Sequence, residues 1–123
     1  METFKEYQKE AVKLRTSTDK FVARNPDLNE EVIKMISLSY DGLGLGEAGE
    51  VQGKVKKIIR DSGGVITPEA TEEIKKELGD TLWYIASMCD NLGITLENVA
   101  TTNIEKLQDR YKRGVIGGSG DNR

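Results

Sequence analysis

Two short stretches of the chain carry acids at a spacing that chemistry can use: Glu47-Ala-Gly-Glu50 and Glu77-Leu-Gly-Asp80. Residues three apart on a helix share a face, roughly 60° apart around the axis at about 100° per residue. If both stretches are helical and pack face to face, four carboxylates meet in one small volume. Four unpaired anions in a partly buried site repel one another strongly. A divalent cation relieves that repulsion, and all-oxygen ligands favour Mg²⁺ or Mn²⁺, with Ca²⁺ also open. The plainer reading of either pair alone is a solvated acidic face followed by lysines.

The composition removes many rival chemistries. The 123 residues contain no histidine and a single cysteine, Cys89. Tetrahedral zinc sites of the usual nitrogen and sulfur type are therefore excluded. So are Ser-His-Asp and Cys-His nucleophile systems, and di-iron bundles, which need Glu-x-x-His pairs. Any chemistry falls to carboxylates, lysines, arginines, tyrosines and a hard metal. The formal net charge of −3 argues against a nucleic-acid polymer as partner. No run approaches the roughly 20 apolar residues of a membrane span. The opening METFKEYQKEAVKL is charged and lacks the apolar core of a signal peptide. With one cysteine and no internal disulfide, a reducing cytoplasm is the expected location.

Positioning the acids requires helices. Charged residues make up 32% of the chain and aromatics 6%, with Glu, Lys and Leu common, which leans towards an all-α domain. The periodicity predicts a four-helix, bundle-like domain over residues 1–113 and a flexible, glycine-rich tail over 114–123. Thr3 caps a first helix that runs to about Phe21. After the Asn25-Pro26 break, Asn29 caps a second helix with Val32, Ile36 and Tyr40 on its apolar stripe. The glycines at 42, 44, 46 and 49 read either as a turn or as a helix that packs closely on another backbone. The close-packed helix is preferred, with the small residues at 42, 46 and 49 on one face, because Glu47 and Glu50 need a rigid base. The second helix ends at Gly63-Gly64. Thr67-Pro68-Glu69 starts a third helix with Leu78, Leu82, Ile85 and Cys89 inside, and Gly93 ends it. Thr95 caps a fourth, on which Asn103 is a polar residue within the stripe of Leu96, Val99, Leu107 and Tyr111.

With both acidic pairs placed, the chain resembles the MazG-like, all-α nucleoside triphosphate pyrophosphohydrolases. The likeness rests on Glu47-x-x-Glu50, the intervening residues 51–76 and Glu77-x-x-Asp80, within the strings GLGLGEAGEVQGKVKK and KKELGDTLWYIA. The string NIEKLQDRY from Asn103 to Tyr111 extends it. One departure is Gly46, where some members carry a further acid; a general-base role for that acid does not transfer. The resemblance implies cleavage between the α and β phosphates of a nucleoside triphosphate, giving monophosphate and pyrophosphate, with Mg²⁺ or Mn²⁺. It also implies a homo-oligomer, dimer or tetramer.

On that reading Glu47, Glu50, Glu77 and Asp80 are the metal-binding and catalytic residues. Lys54 and Lys57, beyond Glu50 on the same helix, are placed to neutralise phosphate, or else to pair with nearby surface acids. Tyr84, one turn after Asp80, can meet sugar or base. Asn103, Lys106 and Tyr111 complete the substrate candidates. Trp83 reads as a base stack or a subunit contact. Ile33, Trp83 and Ala86, off the core stripes, are candidate contacts between copies. The tail, with Asn122 and Arg123, reads either as a disordered end or as a cover over bound nucleotide. The rival to the enzyme is a metal-dependent nucleotide-binding regulator without turnover.

Overall fold

A computed structural model describes residues 3–123. The described residues form six α-helices and no strand: α1 (Phe4–Val12), α2 (Thr16–Arg24), α3 (Glu30–Gly44), α4 (Ala48–Ser62), α5 (Pro68–Leu92) and α6 (Leu96–Lys112). A single 3₁₀ turn, Leu45–Glu47, joins α3 to α4. None of these helices is long and apolar enough to cross a membrane.

The helix starts follow from local chemistry. The Thr3, Asn29, Thr67 and Thr95 side chains each accept the backbone N–H of the residue three on, at 3.0–3.1 Å. Each satisfies a donor that a helix start leaves without a partner. Gly63 and Gly93 end α4 and α5 in the left-handed region, at φ 58° and 71°, where a side chain is disfavoured.

Two expected helices are interrupted. The first divides at 13–15 instead of running to Phe21. Thr16, Ser17 and Thr18 are poor helix formers, and the Arg15 guanidinium turns inward to α5, where its Nε donates to Ser87 Oγ at 2.8 Å. Tertiary contact thus overrides the local periodicity. The second stays helical through Gly44, tightens into the 3₁₀ turn and resumes as α4, so it is neither one regular helix nor a break.

The close approach is at Gly44, not at 42, 46 and 49 as expected. A Cβ on Gly44 would overlap the Tyr84 ring, whereas nothing lies within 4 Å of one on Gly46 or Gly49. Packing at Gly44 brings the end of α3 onto α5 directly before the 3₁₀ turn.

The architecture is an open assembly around α5. That helix packs against α1, α3, α4 and α6, while α2 packs on α3 and α6 touches only α1 and α5. Ala11, Ala86, Cys89 and Leu96 form the buried cluster, with Tyr7, Leu82, Trp83 and Ile85 packed on it. Ala86 is therefore core, and not the surface contact expected from its position. Trp83 also faces inward, its Nε1–H donating to the Ala11 carbonyl at 3.2 Å. Several predicted core positions are instead well exposed, among them Leu78, Val32 and Tyr111.

Candidate active site

Three carboxylates converge where the 3₁₀ turn meets α5. Glu47 closes the turn, and Glu77 and Asp80 lie three apart on α5. One oxygen from each lies within 4.8 Å of the others. Glu47 and Glu77 are half-buried and Asp80 is exposed. No ion pair joins any of the three to a cationic side chain among the described residues. Nearby phenols register this charge. Burial first, then Asp80, raises Tyr7 above its ordinary pKa. Tyr84 is raised by burial, by Tyr40, and by Glu47 and Asp80.

Glu50, the fourth expected member, is exposed and lies outside this group. Glu47 closes the 3₁₀ turn while Glu50 lies in the first turn of α4, so the two do not project as a pair on one regular helix. The three grouped acids supply a hard, all-oxygen donor set with no nitrogen or sulfur, which suits a divalent cation of the Mg²⁺ or Mn²⁺ kind.

Beside the acids is a cavity of about 380 Å³, within the size range of small-ligand sites. Glu47 and Asp80 stand on its wall together with Arg15, Tyr40, Trp83 and Tyr84, and the α1–α2 corner closes one side. The Tyr84 ring is edge-on to Trp83 at 5.1 Å and tilted against Tyr40 at 6.1 Å. Three aromatic residues thus stand beside the acids on a wall whose accessible surface is mainly polar.

Of the expected substrate residues, only Tyr84 lines this cavity. Lys54 reaches Glu73 at 3.6 Å, a pairing between α4 and α5. Lys57, Asn103 and Tyr111 are exposed. Lys106 pairs with Asp121 at 3.2 Å. The residues after Lys112 turn back on α6: Arg110, buried, donates to the Asp121 carbonyl at 2.6 Å. Lys106 and Arg110 together hold the Asp121 carboxyl below its usual range.

Sequence reasoning missed a buried polar cluster behind the cavity. Asp41 and Ser87 are almost fully enclosed. Asn91 Nδ2 donates to Asp41 Oδ2 at 3.1 Å and to Ser37 Oγ at 2.7 Å. Burial raises the Asp41 carboxyl above its ordinary pKa, against hydrogen bonds from Ser87 and Asn91 and the charge of Arg15. A signal existed. Ser37 with Asp41, and Ser87 with Asn91, are polar pairs four apart, so each pair occupies one helix face.

The MazG nucleotide pyrophosphohydrolase domain matches residues 39–115. A protein of Mycobacterium phage L5, named only Gene 37 protein, is 54% identical over 87 residues, covering 70% of this chain and 76% of its own. No solved structure matches. The chain belongs to the MazG nucleotide pyrophosphohydrolase domain family. The matched residues include all four acids and Tyr40, and leave out the α1–α2 corner with Arg15.

Proposed function

We propose that this chain hydrolyses a nucleoside triphosphate to the monophosphate and pyrophosphate, in control of a nucleotide pool in the cytoplasm. The observation that carries the reading is the convergence of Glu47, Glu77 and Asp80 within 4.8 Å beside a cavity on whose wall Glu47 and Asp80 stand. Family membership supports a pyrophosphohydrolase-type hydrolase.

Glu47, Glu77 and Asp80 would hold a divalent cation, Mg²⁺ with Mn²⁺ able to substitute, and a turn of the exposed Glu50 side chain would add a fourth carboxylate. When bound, the cation supplies neutralisation of phosphate charge and a more acidic water. The protein does the rest. The rigid junction of the 3₁₀ turn and α5 fixes the carboxylates, so their positions need no reordering when substrate arrives. Tyr40, Trp83 and Tyr84 offer surface for the nucleoside, which holds the α-phosphate at the acids. A carboxylate of the group, with Glu47 the candidate, takes the proton of the attacking water, and pyrophosphate leaves.

The unit is proposed to be a homo-oligomer. Met35 and Leu43 on α3 are 60% and 82% exposed, more than a lone chain is expected to leave wet in one place. Asn103, Lys106 and Tyr111 lie off the cavity of their own chain. A contact with substrate would come from a neighbouring copy.

The deciding experiment is a screen of nucleoside triphosphates with Mg²⁺, reading pyrophosphate release, with Asp80→Asn as control. Metal-dependent nucleotide binding without release would favour the regulator instead.

A further inference from the structure

The cavity wall carries one cationic side chain, Arg15, and its guanidinium is unusually constrained. Nε donates to Ser87 Oγ at 2.8 Å, one Nη to the Ser87 carbonyl at 2.7 Å, and the other Nη to Asp90 Oδ2 at 3.0 Å. Behind Ser87 stands Asp41, itself held by Asn91. These bonds use three of the five N–H groups of an arginine and leave two.

Helix α5 acts as a ruler along the cavity. Asp80 marks the acid end. Tyr84, the last α5 residue on the wall, follows one turn later. Ser87, buried beyond it and bonded to Arg15, lies seven residues from Asp80, about 10 Å along the axis at about 1.5 Å per residue. That is the scale on which a nucleoside extends from its 5′ oxygen to the far edge of its base. A phosphate contact would belong at the acid end. A rigid donor at the other end, with Trp83 and Tyr84 between, belongs to the base.

We propose that Arg15 reads the base of the bound nucleotide, its two remaining N–H groups donating to ring-nitrogen and carbonyl acceptors. The inference rests on the reading of the cavity as a nucleotide site. Guanine, with adjacent N7 and O6 acceptors, and the pyrimidine carbonyls suit such a donor. The adenine amino group opposes it, because donor meets donor. Ser87, Asp90 and Asp41 are positioning residues that act through Arg15. Arg15 lies outside the residues matched by the family, 39–115, so base choice is set by a part of the chain separate from the shared acids.

The test uses the full chain with Mn²⁺ and measures equilibrium binding of GMP, CMP, UMP and AMP, and of ribose 5-phosphate, which lacks a base. The wild type is expected to bind at least one of GMP, CMP and UMP about tenfold more tightly than AMP. Arg15→Lys keeps the charge and loses the planar fork. It should collapse that preference while leaving ribose 5-phosphate binding unchanged. Asp90→Asn, at an exposed position that tolerates the change, should relax the preference in the same direction. Three outcomes overturn the proposal: no base preference in the wild type, a preference that survives Arg15→Lys, or an equal loss of ribose 5-phosphate binding. The last would make Arg15 a phosphate contact. A collapse of base preference in a chain that releases no pyrophosphate would sink the hydrolase reading and leave this one standing.

Discussion

Gly44 and Tyr84, on α3 and α5, lie so close that a Cβ on the glycine would enter the tyrosine ring. The contact sits three residues before Glu47 and four after Asp80, so it sets the distance between the two chain segments that supply the acids.

Gly44→Ala should therefore destabilise the fold by about 1–3 kcal/mol, the usual range for overpacking. Helix propensity alone predicts a gain of about 1 kcal/mol, so the sign of the effect decides which wins. Gly46→Ala, with open space around its Cβ, should be neutral or stabilising. Thermal melts of both variants check the contrast, and a more stable Gly44→Ala would refute the contact.

The three grouped acids should differ from Glu50 in degree. Asp80→Asn and Glu77→Gln should lower turnover by orders of magnitude and abolish the rise in Tm that saturating Mn²⁺ gives the wild type. The same changes remove like charge, so the metal-free melting temperature should hold or rise. Glu50→Gln should follow the same direction with the smallest effect. Near-normal turnover of Asp80→Asn at saturating Mg²⁺ would break the ligand assignment.

How legible this site was varied with the kind of interaction involved. Caps are local, and Thr3, Asn29, Thr67, Thr95, Gly63 and Gly93 were all readable from their immediate neighbours. Each acidic pair was readable because a spacing of three puts both members near one helix face, but which of them meet depends on how the 3₁₀ turn packs on α5, and Glu50 lies outside the group. Arg15 was not. It lies in a segment with helical periodicity, and its break depends on Ser87, 72 residues away. Gly44 was mistaken for its neighbours for the same reason: which glycine of four is pressed against a ring depends on how α3 crosses α5. Val32 and Tyr40, placed on the apolar stripe of the second helix, are well exposed, because periodicity reports an apolar face and not whether a neighbouring element covers it.

The buried Asp41 gives a pH prediction with a definite sign. Its folded pKa is raised above the ordinary 3.8, so in the interval above that value the folded state holds the proton more tightly than the unfolded one. Stability from this group therefore falls as pH rises through the interval and is lowest where Asp41 is ionised in both states. Asp61 and Asp121 are shifted the other way, so the single curve mixes signs. The difference between wild type and Asp41→Asn isolates it: the wild type should lose stability relative to the variant as pH rises from about 4 towards neutrality. Denaturant melts across that range provide the measurement, and a parallel pair of curves would contradict it.

The proposed attack at the α-phosphate fixes where solvent oxygen should go. Hydrolysis in ¹⁸O water should place the label in the monophosphate, because the new bond forms at that phosphorus. Label confined to pyrophosphate would mean attack at the β-phosphate.

Lys106 lies outside its own cavity and pairs with Asp121, so any role in binding requires another copy. Lys106→Ala should raise KM without disturbing the fold, since its lost partner is an exposed ion pair of small worth. Mixing Lys106→Ala with Asp80→Asn then tests the shared site. In a mixed dimer one site combines both defects and the other has neither. At substrate concentrations where each variant alone is nearly inactive, a statistical mixture should recover roughly a quarter of wild-type activity, because about half the dimers are mixed and each has one intact site. Recovery requires subunit exchange, which is checked by mass measurement of the mixed species. Exchange without recovery would confine the site to one chain, and full activity of Lys106→Ala alone would remove the residue from the site.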